Sequence, residues 1–142
     1  MGYTGGVDLG GTKIQTVIVD DGGEVAGQSR RPTPTSGGPG DVAREIADAM
    51  KEAAAQAGVK TSSLEGIGIG SPGNVDDEAG TVSAAKNLPS WDGSFNMRRT
   101  LEKACGTGIR LGNDVQVATD AEFALGAARP YRSLLGVFWG TG

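Results

Sequence analysis

The strongest constraint on the fold lies near the amino terminus, where V-D-L-G-G-T-K-I-Q-T-V-I-V-D-D-G-G fills residues 7–23. Residues 4–9 and 13–20 read as two strands joined by Gly10-Gly11-Thr12, and residues 25–31 as a third strand after Asp21-Gly22-Gly23. The chain therefore opens as an antiparallel meander, and the remaining elements have to pack on it. A plain hairpin needs one or two turn glycines. It does not need Asp8, Thr12 and Lys13 gathered around them.

The segment 31–40, R-P-T-P-T-S-G-G-P-G, breaks both the helical and the strand period and reads as a loop. Residues 41–57 predict a helix with Val42, Ile46, Met50, Ala53 and Ala57 on one face and Gly58 as its stop. A short strand comes next at 64–71, ending at Pro72-Gly73. Residues 74–93 read as irregular, with a small hairpin around Ala79-Gly80. A second helix is expected at 95–104 (Met97, Leu101 and Ala104 inward), a strand at 109–113, and a third helix at 115–128 (Val117, Ala121, Leu125 and Ala128 inward), closed by Arg129-Pro130. A last strand is expected at 133–139. Three meander strands and then strand–helix alternation imply an α/β chain with a mixed sheet and helices on its faces.

Composition narrows the chemistry. The chain has 142 residues, one domain's worth, with a net charge of -4 and no long basic run, which disfavours nucleic acid and anionic membranes as partners. No apolar stretch approaches the ~18–20 residues of a membrane span, and no basic-then-apolar leader opens the chain. M-G-Y-T-G-G begins like a myristoylation signal, but Gly6 stands where Ser or Thr is required. A cytoplasmic protein is the simplest expectation. Cys105 is the single cysteine, so neither an internal disulfide nor a CxxC site can form; it is expected to be a small buried residue at a helix end. Histidine is absent, so any general base must be Asp, Glu, Lys or something rarer.

Three glycine signals compete. Gly6 and Gly11 have Walker-A spacing, but Thr12-Lys13 reverses the Lys-Thr order and a strand comes after it instead of a helix. G-I-G-S-P-G (68–73) matches G-x-G-x-x-G literally, yet Pro72 and the polar run after it argue against the helix that a dinucleotide site requires. D-L-G-G-T-K (8–13) fits better: successive backbone N–H groups in a glycine turn can hold phosphate oxygens, and Thr12 and Lys13 can add a hydroxyl donor and a positive charge. Asp8, at the strand end, could hold Mg²⁺ directly or through water. An ordinary hairpin with a chance lysine would look the same.

L-G-N-D-V (111–115) places Asn113-Asp114 between a strand and a helix. Both residue types serve there as N-caps. They would also suit a site in which Asp114 takes a proton from a substrate hydroxyl and Asn113 binds its neighbour, since the helix dipole holds a carboxylate at that end. In K-N-L-P-S-W (86–91), Asn87 could read sugar hydroxyls, while Trp91 is expected to be a local core anchor. G-T-G (140–142) reads as a second glycine–hydroxyl turn that could meet a phosphate, though by itself it reads as a plain strand-end turn.

Together D-L-G-G-T-K (8–13), G-I-G-S-P-G (68–73), N-L-P-S-W (87–91), N-D-V (113–115), A-E-F-A-L-G-A-A (121–128) and G-T-G (140–142) resemble the ROK family of sugar kinases and repressors, in the family's order and over essentially the whole chain. The resemblance implies a five-stranded mixed sheet of the ribonuclease H-like/actin-like ATPase type. It implies ATP-dependent phosphorylation of a hexose, most simply glucose to glucose 6-phosphate. On that transfer Asp8, Gly10, Gly11, Thr12 and Lys13 form the first phosphate turn with Mg²⁺. Gly140, Thr141 and Gly142 begin the second. Gly73, Asn87, Asn113 and Asp114 hold the sugar, and Asp114 is the general base.

The resemblance also implies that residues 1–142 form an amino-terminal lobe only, so the chain is expected to be a fragment, inactive alone. More sugar ligands, a structural zinc site and most of the nucleotide pocket would belong to a carboxyl-terminal lobe, and the parent is expected to be a homo-oligomer. Two alternatives stand beside the kinase: a sugar-responsive repressor of the same family, which would carry a DNA-binding segment ahead of the first strand, and a non-catalytic sugar- or nucleotide-binding module. Polyphosphate could replace ATP as donor.

Overall fold

A computed structural model describes residues 2–139. Strands β1 (Tyr3–Leu9), β2 (Lys13–Asp20) and β3 (Val25–Pro32) form the antiparallel meander. β4 (Ile67–Ser71) lies parallel to β1. The short strands β5 (Asn74–Asp76), β6 (Thr81–Ser83) and β7 (Ser94–Asn96) make a second, antiparallel sheet, and β8 (Ile109–Asn113) returns parallel to β4. The main sheet is five-stranded and mixed, in the order β3-β2-β1-β4-β8. Three helices complete the described chain: α1 (Pro39–Gln56), α2 (Met97–Cys105) and α3 (Asp114–Leu125).

One face of the sheet carries the core. Val7, Leu9, Ile14, Ile18, Ile67, Ile69, Ile109 and Leu111 alternate along their strands toward α1 and α2. The buried side of α1 is rich in alanine, with Ala43, Ala47, Ala49, Ala53 and Ala54 beside Val42, Ile46 and Met50. That lets the helix lie low on the sheet. At Gly27 the approach is so close that a Cβ would collide with the Ala53 carbonyl. Thr16, buried between the layers, donates its hydroxyl to the Ala49 carbonyl at 3.2 Å.

The opposite face is built differently. Gly6, Gly68, Gly70 and Gly112 are its central residues, and α3 begins above them. A Cβ on Gly112 would meet Val117 Cγ2 at 2.5 Å, and one on Gly70 would meet the Asp114 Cα at 3.5 Å. The glycines are what allow the first turn of α3 to press against the strands.

Several boundaries differ from the sequence reading, each for a local reason. α1 starts at Pro39 because the Asp41 carboxylate accepts the Gly38 N–H at 3.0 Å, which places Asp41 in the third helical position. β4 begins at Ile67, after a 3-10 turn at Thr61–Ser63. Phe95 belongs to β7, where its ring packs edge-on against Trp91 (centroids 5.9 Å apart). Trp91 is the expected core anchor, its indole N–H donating to the Val82 carbonyl at 3.0 Å. In α2 the inward row is Met97, Leu101 and Cys105, while Ala104 is exposed.

Two expectations fail. The face Val117, Ala121 and Leu125 of the third helix is exposed, because the apolar residues of α3 are spread around the helix and only its first turn meets the sheet; Ala128 is buried, but beyond the helix end. Residues 133–139 form no strand. The free edge of β8 is already filled by side chains: Asp77 accepts the Leu111 N–H at 2.8 Å, Arg98 Nε donates to the Ile109 carbonyl at 3.0 Å and Glu102 accepts the Ile109 N–H at 3.3 Å. Neither Ile109 nor Leu111 then has a free N–H to offer another strand. Among the described residues no helix is long and apolar enough to cross a membrane.

Candidate functional site

Parallel strands in open α/β sheets gather ligands at their carboxyl ends. Here those ends are Ser71 on β4 and Asn113 on β8, beside the hairpin turn that leaves β1. The residues singled out from the sequence collect at this end.

The turn between β1 and β2 is closed by the Gly10 N–H donating to the Lys13 carbonyl at 2.9 Å. It is braced from outside by Thr33, a residue of the proline-rich segment with no role expected of it. Thr33 is buried; its hydroxyl donates to the Gly10 carbonyl at 2.7 Å and its N–H to the Thr12 carbonyl at 3.0 Å. The carbonyls of Gly10 and Thr12 are thus taken up, while among the described residues the N–H groups of Gly11 and Thr12 meet no acceptor. Both residues are exposed. A pair of free amides beside Lys13 is the arrangement an anionic oxygen requires.

Gly11 also lies close to the next motif. A Cβ there would come within 3.2 Å of Asn87 Cβ, so the phosphate-type turn abuts the loop that carries Asn87. That loop is held in an unusual conformation: Ala84 and Ser90 have φ of 53° and 49°. Residues held in that region cluster where a loop is over-determined by its surroundings.

Asn113 does two jobs. Its Oδ1 caps α3, accepting the N–H groups of Val115 at 3.1 Å and Gln116 at 3.4 Å. Its Nδ2 donates to the Gly73 carbonyl at 3.2 Å. Gly73 has φ of 86°, and a Cβ there would strike the Ser83 carbonyl at 2.5 Å, so only glycine fits. Asp114 is half-buried in the first turn of α3, its Oδ1 accepting the Val115 N–H at 2.9 Å. Asp8 is exposed and pairs in register with Gly70, above which Asp114 begins its helix. An open groove of about 570 Å³ runs along the glycine face between Gly6, Gly70 and Gly112 and the α3 residues Gln116 and Asp120. A larger one, about 840 Å³, lies at the amino ends of β4 and β8, and none of the candidate site residues lines it.

The fold therefore brings Asp8, Gly10, Gly11, Thr12, Lys13, Gly73, Asn87, Asn113 and Asp114 to one end of one sheet. Gly140, Thr141 and Gly142 lie outside the described residues. For a magnesium–phosphate group the donor set fits: one exposed carboxylate, a hydroxyl and free amides suit a cation that keeps its waters and shares phosphate oxygens. Among the described residues no group of three or more Cys, Asp or Glu comes together as a metal cluster.

The sequence reading missed Thr33 and a second group, Asp77 with Arg98 and Arg110. Asp77 pairs with Arg98 at 2.5 Å and Arg110 at 2.7 Å. The Leu111 N–H, and then Arg110 and Arg98, hold its carboxyl below the usual range against the opposing effect of burial. One local hint existed: Arg98 sits in the first turn of α2, where the helix dipole disfavours a cation unless something else holds it.

Residues 4–142 match the family described as ROK. The glucokinase of Thermotoga maritima is 32% identical over 137 residues, covering 96% of this chain and 41% of that protein. The structure of a ROK hexokinase from Thermus thermophilus superposes with a TM-score of 0.78 at 38% identity, over 89% of this chain and 40% of that one. A ROK glucokinase from Streptomyces griseus, solved in complex with glucose and AMPPNP, gives 0.76 at 32% identity, over 89% and 38%. The chain spans about two fifths of the length of the curated relatives it matches.

Proposed function

Since the chain belongs to the ROK family and has the sheet of the actin-like ATPase fold, we propose that it is the amino-terminal lobe of a cytoplasmic hexose kinase, glucose being the first substrate to try. The observation that carries the reading is the closeness of Gly11 to Asn87, where a Cβ on Gly11 would stand 3.2 Å from Asn87 Cβ; it supports a phosphate-holding turn beside a loop that reads hydroxyls. Similarity to glucokinases, one of them solved with glucose and AMPPNP, supports sugar phosphorylation.

In this reading the Gly11 and Thr12 amides, with Lys13, would hold phosphate oxygens, and Asp8 would hold Mg²⁺ directly or through water. Bound Mg²⁺-ATP supplies the phosphoryl group and offsets the charge that develops on it. Asn113 and Asn87 orient the hexose. Asp114, fixed at the start of α3, accepts the proton of the attacking sugar hydroxyl, for which the C6 hydroxyl is the natural candidate. Phosphoryl transfer asks a protein mainly for positioning and charge neutralisation, and glycine turns on a rigid sheet provide the first. A second lobe would add the remaining nucleotide contacts, including those expected of Gly140, Thr141 and Gly142, and residues 1–142 alone would turn over nothing at a useful rate.

A coupled ADP-release assay on the two-lobed protein, with Mg²⁺-ATP and a panel of hexoses, tests this. Turnover of one sugar is expected. Sugar-induced thermal stabilisation without turnover would instead identify a binding or regulatory module.

A further inference from the structure

β8 carries Asn113 and leads into Asp114, yet it is an edge strand. Three of its outward backbone groups are met by side chains from two separate segments. Asp77, just after β5, takes the Leu111 N–H; Arg98 and Glu102, one turn apart on α2, take the Ile109 carbonyl and N–H. Arg98 also donates to the main-chain carbonyl of Asp77 and to that of Glu78 (3.5 Å), and its own N–H donates to the Gly80 carbonyl at 3.1 Å. Gly80 is needed there, since its φ is 73° and a Cβ would stand 2.7 Å from Arg98 Cβ. Arg110 closes the cluster on Asp77 Oδ2.

The β5–β6 hairpin is thereby joined to β8 at two points: Asp77 to Leu111, and Gly73 to Asn113. The first joint lies at the other end of β5 from Gly73. The second lies in the site. A side chain that donates to a carbonyl on a separate hairpin keeps its rotamer only as long as that hairpin keeps its place.

Resting on the kinase reading above, we infer that Asp77 is a positioning residue for the sugar end of the site: with Arg98 and Arg110 it clasps the hairpin to β8, and so holds Gly73 where it fixes the Asn113 amide. The clasp acts on sugar binding and leaves the phosphate turn alone, because that turn is braced independently through Thr33.

The test uses Asp77→Ala and Asp77→Asn in the two-lobed protein, with two readouts. The first is the hexose KM against the ATP KM. Asp77→Ala should raise the hexose KM about 10-fold while the ATP KM stays within about twofold, the size expected when a positioning contact is lost and the second ligand is not involved. Asp77→Asn, whose amide carbonyl can still accept the Leu111 N–H, should fall between it and the wild type. The second readout is amide exchange over residues 113–116, which needs no turnover and should speed up in Asp77→Ala while residues 4–20 do not change.

A hexose KM equal to the wild type's in a variant that melts above the assay temperature would overturn the inference. So would unchanged exchange at 113–116. If Asp77→Ala does not fold, Asp77→Asn carries both measurements. If the wild type phosphorylates no hexose, the kinase reading falls, and the exchange result alone decides the clasp.

Discussion

Asn113 donates to the Gly73 carbonyl at 3.2 Å while its Oδ1 caps α3. One side chain therefore ties the glycine loop after β4 to the helix that carries Asp114. The cap and the proposed sugar contact are not rivals here: the cap fixes the rotamer, and the second N–H of the amide is what a ligand would use.

The two functions separate by substitution. Asn113→Asp keeps the capping oxygen and removes the donor to Gly73, whereas Asn113→Ala removes both. Loss of the cap should lower stability by about 1 kcal/mol, so a urea melt should find the alanine variant clearly weaker and the aspartate variant closer to wild type. Both should bind hexose poorly.

Asp114→Asn keeps an oxygen for the Val115 N–H and removes the proposed base. Thermal stability should be nearly unchanged, while kcat of the two-lobed protein should drop by at least ~10²-fold, the lower range for general-base catalysis. Near-normal turnover would reduce Asp114 to a cap residue.

Thr33→Val removes the hydroxyl that meets the Gly10 carbonyl and keeps the size of the side chain. A lost buried hydrogen bond should destabilise by about 1 kcal/mol. The more telling effect is a weaker affinity for Mg²⁺-ATP with little change for hexose, measured by calorimetry on the two-lobed protein.

Gly112→Ala puts a methyl group 2.5 Å from Val117 Cγ2. Overpacking of this kind should lower stability by about 1–3 kcal/mol and tilt the start of α3. Val117→Ala in the same chain should restore most of it, because the clash is with that side chain and not with backbone. A double-mutant cycle by denaturant melting reads the coupling; additivity would show that α3 does not lie on Gly112.

The Asp77 carboxyl is held below its ordinary value by the Leu111 N–H, Arg110 and Arg98. A carboxylate whose folded pKa is depressed stabilises fully above its unfolded value, near 3.9, and that contribution disappears as pH falls through the folded value. Asp77→Asn should therefore be less stable than wild type at pH 7, and the gap should narrow progressively below about pH 4. A gap that is constant from pH 7 to pH 3 would mean the ion pairs contribute nothing.

Much of this architecture is legible in the sequence because its signals are local. The meander is written in alternating apolar residues and turn glycines, and β1, β2 and β3 lie within a residue or two of where the pattern puts them. Asp8 and Asn113-Asp114 stand out because each breaks a strand or helix pattern at its end, and Asn87 through the motif that carries it, K-N-L-P-S-W. What escapes is non-local. Asp77, Arg98 and Arg110 are scattered along the chain and meet only when the second sheet folds against β8. Thr33 looks like loop filler, since nothing in R-P-T-P-T says that its hydroxyl reaches back to Gly10. The last helix misleads because alanine, valine and phenylalanine suggest a buried face whether or not anything covers it. The strand expected at 133–139 has the right residues, but a ladder also needs free N–H groups on a neighbouring edge, and on β8 those of Ile109 and Leu111 are taken by side chains from elsewhere in the chain, which the strand's own residues do not reveal.

That filled edge has a consequence for how the chain survives before it is fully folded. Strand edges that expose their amides invite other chains to add on, and the usual defences are charge, proline or distortion. β8 is guarded by Asp77, Arg98 and Glu102, which arrive only when α2 and the hairpin have docked. Until then the strand Ile109–Asn113 is a bare template with apolar Ile109 and Leu111 on one side. Aggregation during refolding should therefore be set by how quickly Arg98 finds Asp77, and variants that weaken this pair should lose yield well before they lose much stability.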